Sequence, residues 1–109
     1  MVEIFKTIEA GKQLVKTEVF EKGCWINITA PTEEELTRVQ NELKVDPKLL
    51  RDPLDDEEKP RIDVDEDQTL IIVDIPYVYE DEQNIVFETM PLGLLVVRDE
   101  YFISICSKE

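Results

Sequence analysis

Residues 24–44 read CWINITAPTEEELTRVQNELK, and the change of period inside them decides the architecture. CWINIT (24–29) is short and rich in β-formers, which reads as a strand. Pro31 ends it, and Thr32 stands three residues before Glu35, the T-x-x-E spacing of a capping box. Glu33, Glu34 and Glu35 place negative charge in the first helical turn, where the helix dipole favours it. Leu36, Val39 and Leu43 then recur at helical spacing and form a narrow apolar stripe. The pattern predicts a helix that ends near Lys44.

Toward the N-terminus the chain reads as β. VEIFKTI (2–8) is a strand, Glu9-Ala10-Gly11-Lys12 a hairpin turn in which Gly11 supplies any positive φ, and QLVKTEVF (13–20) the return strand. Glu21-Lys22-Gly23 turns into the strand at 24–29. Toward the C-terminus come two Asp-Pro pairs. Asp46-Pro47 and Asp52-Pro53 each offer an N-cap followed by proline in the first helical position. The first pair opens a short helix containing Leu49 and Leu50. Pro53 restricts Asp52 to an extended or cap conformation and ends that helix. Asp55 to Glu58 suit one more acidic turn.

The remainder is β again. RIDVD (61–65) sets Ile62 and Val64 on one face. TLIIVDI (69–75) is nearly continuous in apolar residues, the pattern of a central strand covered on both faces. NIVFETMPLGLLVV (84–97) is one long strand in which Pro91 and Gly93 predict a bend or bulge. Arg98-Asp99-Glu100 turns, and YFISIC (101–106) closes the set. Strands at both ends with helices between them give an α+β class. The expected architecture is a mixed, largely antiparallel sheet of about seven strands. Two or three helices are inserted after the third strand and packed on the sheet. At 109 residues, the expectation is a single soluble domain spanning 1–109.

Composition narrows the function. The net charge of −14 repels phosphate backbones and anionic lipid, so neither nucleic acid nor a membrane surface is an expected partner. The chain has no histidine, which removes the commonest general base and the usual zinc ligand. Its only serines are Ser104 and Ser107, and Gly11, Gly23 and Gly93 fall in no phosphate-cradling pattern. These absences argue against an enzyme. Cys24 and Cys106 have no CxxC partner and read as free thiols of a reducing compartment. The N-terminus is not a signal peptide, and no segment approaches the ~20 apolar residues of a membrane span.

Three acidic stretches compete as cation sites. DVDEDQTLIIVD (63–74) has acids at the first, third and fifth positions of a calcium loop, Asp63, Asp65 and Asp67. Gln68 stands where the loop needs glycine, and Asp74 where it needs a bidentate glutamate, so a hairpin turn at Asp65–Gln68 is the better reading. Glu80-Asp81-Glu82 reads as a hairpin tip, Tyr77 and Tyr79 as packing on a sheet face, and Trp25 as a core or half-core anchor. LLRDPLDDEEKPRI (49–62) stays divided on pattern alone. Leu49, Leu50 and Leu54 pack, Asp52 caps a helix, Asp55 to Glu58 form a solvated turn, and Lys59-Pro60-Arg61 lead into the next strand. A magnesium ion often needs only one or two carboxylates, so spacing neither requires nor excludes it here.

WINITAPTEEEL (25–36), VDPKLLRDPLDDEEKPRIDVDEDQTLIIV (45–73), ETMPLGLLVV (88–97) and YFISI (101–105), in this order, resemble the N-terminal cytoplasmic domain of CorA-type magnesium transporters. The resemblance implies a longer protein, with a stalk helix and two membrane helices that this sequence lacks. It implies a homopentamer on the cytoplasmic face of the cell membrane, reaching the membrane only through those downstream helices. It also implies a regulatory role, in which magnesium bound weakly between subunits holds the pore closed. The family's ligand in the L-x-x-D segment falls on Asp52, the metal-site candidate. Family members often carry an acid directly before it, where this chain has Arg51. A guanidinium there is expected to repel a divalent ion or to pair with a neighbouring acid. The alternative function is a stand-alone acidic interaction domain that binds a basic protein partner.

Overall fold

The computed structural model describes residues 1–8, 11 and 13–108. Seven strands form one sheet: β1 (Val2–Ile8), β2 (Gln13–Thr17), β3 (Trp25–Thr29), β4 (Arg61–Asp65), β5 (Gln68–Asp81), β6 (Asn84–Val97) and β7 (Tyr101–Cys106). Two helices, α1 (Glu33–Leu43) and α2 (Pro47–Arg51), lie between β3 and β4, and a 3-10 turn at Asp52–Leu54 continues α2. The spatial order is β2-β1-β3-β7-β6-β5-β4. All pairs are antiparallel except β3 with β7, so the sheet is mixed as expected. Parallel neighbours need a long crossover, and everything from α1 to β6 supplies it.

The helices cover one face only. Ile26, Ile28, Leu70, Ile72, Leu95, Val97, Ile103 and Ile105 point toward them and join Leu36, Val39, Leu43, Leu49 and Leu50 in one buried core. The capping box at the start of α1 is formed. Glu35 N–H donates to Thr32 Oγ1 at 3.1 Å, and Thr32 N–H donates to Glu35 Oε1 at 3.0 Å. The far end of α1 closes at Lys44 in the left-handed region. There Arg98 donates to the Leu43 carbonyl, so a cation meets the negative end of the helix. Asp46 caps α2 through its side chain on Lys48 N–H.

Several expectations are corrected. The return strand ends at Thr17 because Phe20 leaves the sheet to pack against the core, with Arg38 over its ring at 5.0 Å. Of the turn at Glu9–Lys12 only Gly11 falls within the described residues, with φ of +83°. Asp52 is neither extended nor an N-cap. Its φ of −54° and ψ of −45° are helical, and α2 runs through it into the 3-10 turn. The α region is disfavoured before proline, so packing must offset that cost. Gly93 provides it: a Cβ there would stand 2.4 Å from Pro53 Cγ and 2.9 Å from Ile105 Cγ2. The glycine is a landing place for Pro53, and β6 keeps an unbroken register with β5 from Gln68↔Val97 to Asp81↔Asn84, without a bulge.

β5 is not a central strand, and among the described residues helices cover only one of its faces. It lies next to the edge, and it runs on through Pro76 to Asp81. Past Ile72 it has left β4 behind, and a strand paired on one side tolerates proline. Its second face carries no helix among the described residues and is half-buried as far as Tyr77, whereas on the same face of β4 Ile62 and Val64 are each 69% exposed. On this face Trp25 stacks on Phe5 at 4.9 Å and donates from Nε1 to Ser104 Oγ, whose hydroxyl donates to Asn27 Oδ1. Trp25 is thus the half-buried anchor expected of it. Asp55–Glu58 form a turn, not a helical one, with Asp55 capping Glu57 N–H.

Candidate functional site

The junction of α2, the 3-10 turn and β4 gathers the charges of the 49–62 stretch around one guanidinium. Arg61 begins β4, opposite Ile72, and points to the helix side of the sheet. It donates from Nη2 to Asp52 Oδ2 at 2.6 Å, from Nε to Glu58 Oε1 at 2.8 Å, and from Nη1 to Asp63 Oδ2 at 3.0 Å. Lys48, one helical turn before Asp52, places Nζ 2.8 Å from the same Oδ2. Asp52 is the least exposed of the three carboxylates, at 19% of its side chain. Burial alone would raise its carboxyl, but hydrogen bonds from Lys48 and Arg61 and their charges outweigh that and hold it below the usual range. Arg61 is held firmly protonated, chiefly by its bond to Glu58.

Arg51 does not face Asp52. It donates to Glu33 Oε2 at 3.0 Å and to Gln40 Oε1 at 3.1 Å, tying α2 back to α1. The expectation that it pairs with a neighbouring acid is met, with an acid 18 positions away. The cations beside Asp52 are Lys48 and Arg61 instead. Glu58 also leaves the solvated turn expected of it and joins the Arg61 cluster. Arg61 was legible as a strand start but not as a hub. Its same-face relation to Asp63 follows from strand alternation, whereas its contact with Asp52 depends on how α2 lands on the sheet.

A magnesium ion is a hard cation that takes oxygen donors. Asp52 offers one carboxylate, already engaged at Oδ2 by two cations. Among the described residues, no three acidic or cysteine side chains gather where they could hold a metal ion. The acids of 63–74 lie in a β4–β5 hairpin, with Asp63 on Arg61 and Asp67 3.8 Å from Arg98. Cys24 and Cys106 are both buried and free, and burial pushes the Cys24 thiol up.

Residues 20–109 match the protein family described as CorA-like Mg2+ transporter protein. The chain belongs to that family. Its fold agrees with the soluble domain of CorA from Methanocaldococcus jannaschii, with a TM-score of 0.78 and 25% identity, over all of this chain and 41% of that one. The complete CorA magnesium transporter from the same organism gives a TM-score of 0.79 at 24% identity, over all of this chain and 33% of that one. The chain thus spans less than half the length of either CorA structure. No curated protein matches it in sequence. Among the described residues, no helix is long and apolar enough to cross a membrane.

Proposed function

We propose that this chain is the cytosolic regulatory domain of a CorA-like magnesium transporter that works as a homopentamer. Its family membership and its agreement with a CorA soluble domain support the assignment. The observation that carries the regulatory part is the partly exposed Asp52 carboxylate set in a chain of net charge −14. Acidic domains drawn together in a ring repel one another, and divalent cations between them offset that repulsion. Magnesium then favours the closed assembly because it binds that state better, and its loss shifts the population toward the open one.

On this reading Asp52 is half of a bridging site, and the other donors come from a second chain and from water. Binding is weak because Asp52 must exchange Lys48 or Arg61 for the ion. A magnesium titration followed by backbone amide shifts tests this. Weak, saturable shifts that centre on Asp52 and vanish in Asp52→Asn support it. Tight one-site binding centred on Asp63–Asp67, or identical shifts in the variant, overturns it.

A further inference from the structure

β5 and β6 are each 14 residues long, far longer than their neighbours. β4 pairs with β5 only from Gln68 to Ile72, and β7 pairs with β6 only from Leu92 to Val97. Asp74–Asp81 and Asn84–Pro91 therefore pair with each other alone among the described residues. They form a two-stranded arm about 27 Å long at strand rise. A lone hairpin is marginal in water, so an arm of this length needs something to hold it.

One face of the arm is internally braced. Tyr77 and Tyr79 stack with ring centroids 5.8 Å apart. Both hydroxyls donate to Glu88 on the facing strand, at 2.6 Å and 3.1 Å. Lys108, just past β7, lies over the Tyr77 ring at 4.9 Å. The other face is different in kind. Val78 stands directly opposite Phe87, and Ile85 stands opposite Glu80 on the same side. Phe87 is 74% exposed, Ile85 62% and Val78 55%. A phenylalanine exposed to that degree, flanked by two aliphatic residues, is left uncovered by the described residues and marks an interaction surface.

The charges around this apolar triad say what would cover it. Residues 73–91 contain five acids, Asp74, Glu80, Asp81, Glu82 and Glu88, and no lysine or arginine. Asp74 and Glu80 share the face of Val78, and Glu82 sits at the tip. An anionic lipid surface is repelled by such a rim. A second copy of this chain brings the same acids and a further −14. A segment with bulky apolar residues flanked by lysine or arginine satisfies both halves of the surface.

We propose that the Val78–Ile85–Phe87 face of the arm is a docking site for a basic amphipathic segment of another protein. The brace on the opposite face pre-organises the arm, so little ordering cost falls on binding. The apolar triad supplies affinity, and the acidic rim supplies orientation and rejects anionic partners.

The test uses a helical leucine/lysine peptide of about 18 residues, five turns, and a control of equal charge with serine in place of leucine. The expected result is binding of the leucine/lysine peptide with amide shifts confined to the arm. Phe87→Ser weakens that binding about tenfold or more, as loss of one buried aromatic side chain implies. Val78→Thr keeps the β-branch and weakens it to a lesser degree, which guards against misfolding of the first variant. Glu80→Gln flattens the salt dependence. The proposal fails if both peptides shift the same dispersed acidic surface and Phe87→Ser changes nothing. It fails equally if Phe87→Ser abolishes self-association of the chain without peptide, or binding to phosphatidylglycerol vesicles.

Discussion

Arg61 Nη2 lies 2.6 Å from Asp52 Oδ2, and that contact joins the first residue of β4 to the last turn of the helical layer. The same guanidinium holds Glu58 and Asp63, so it satisfies three carboxylates that would otherwise repel one another. Arg61→Gln keeps the length but loses the charge. We expect it to lower stability by about 1–2 kcal/mol, because the contacts are partly exposed and screened but act as a network. It also frees Asp52 from one competitor. On the proposed function, magnesium-dependent amide shifts at Asp52 then appear at lower magnesium concentration than in the parent. An unchanged midpoint would remove Asp52 from the candidate ligands.

The same contacts set an acid limit. Asp52 is lowered because bonds and charges from Lys48 and Arg61 outweigh its burial, and Glu35 is lowered first by the Thr32 backbone N–H. A carboxylate whose folded pKa lies below its unfolded value contributes stability fully above the unfolded value, about 4. That contribution is lost as pH falls through the folded value. Denaturant midpoints measured from pH 6 downward should therefore hold to about pH 4 and then drop. Asp52→Asn should start lower and fall less steeply. A parallel fall in parent and variant would show that Asp52 is not depressed in solution.

Gly93 and Pro53 make a packing prediction that electrostatics does not touch. A methyl group at position 93 would stand 2.4 Å from Pro53 Cγ, well inside contact distance. Gly93→Ala must push the 3-10 turn off β6 or bend the strand, at about 1–3 kcal/mol. Combining it with Pro53→Ala should recover part of the loss, because the clash partner shrinks. Thermal melts of the two single variants and the double variant give the coupling. Strictly additive losses would show that the two residues do not meet.

Local signals carried far in this sequence. Thr32 and Glu35 announced the start of α1, and Leu36, Val39 and Leu43 its buried face, because both depend on residues a turn apart. The strands were legible for the same reason. What failed was long-range. Gly93 read as a bulge, since nothing local reveals that Pro53 arrives on it from forty positions away. Asp52 read as an N-cap, since its helical conformation is imposed by that landing and by Arg61. The run TLIIVDI read as doubly covered, whereas the described residues place helices on one of its faces and leave the other half-buried, a difference that sequence period does not report.

The arm offers a reading that isolates one hydrogen bond. Tyr77 Oη donates to Glu88 Oε2 at 2.6 Å, and that bond, more than burial or charge, pushes the Tyr77 hydroxyl up to about 12. Tyr79 is raised by the same carboxylate, and Glu88 is correspondingly lowered. A phenol whose folded pKa exceeds its unfolded value of about 10 contributes stability that is complete below pH 10. It is lost as pH rises toward 12. Ultraviolet titration should show Tyr77 and Tyr79 ionising late. In Glu88→Gln both should move back toward 10, and the alkaline loss of stability should shrink. Tyrosines that titrate together near 10 in the parent would mean that the brace is not formed in solution. The arm would then lack the rigidity that presents Phe87 to a partner.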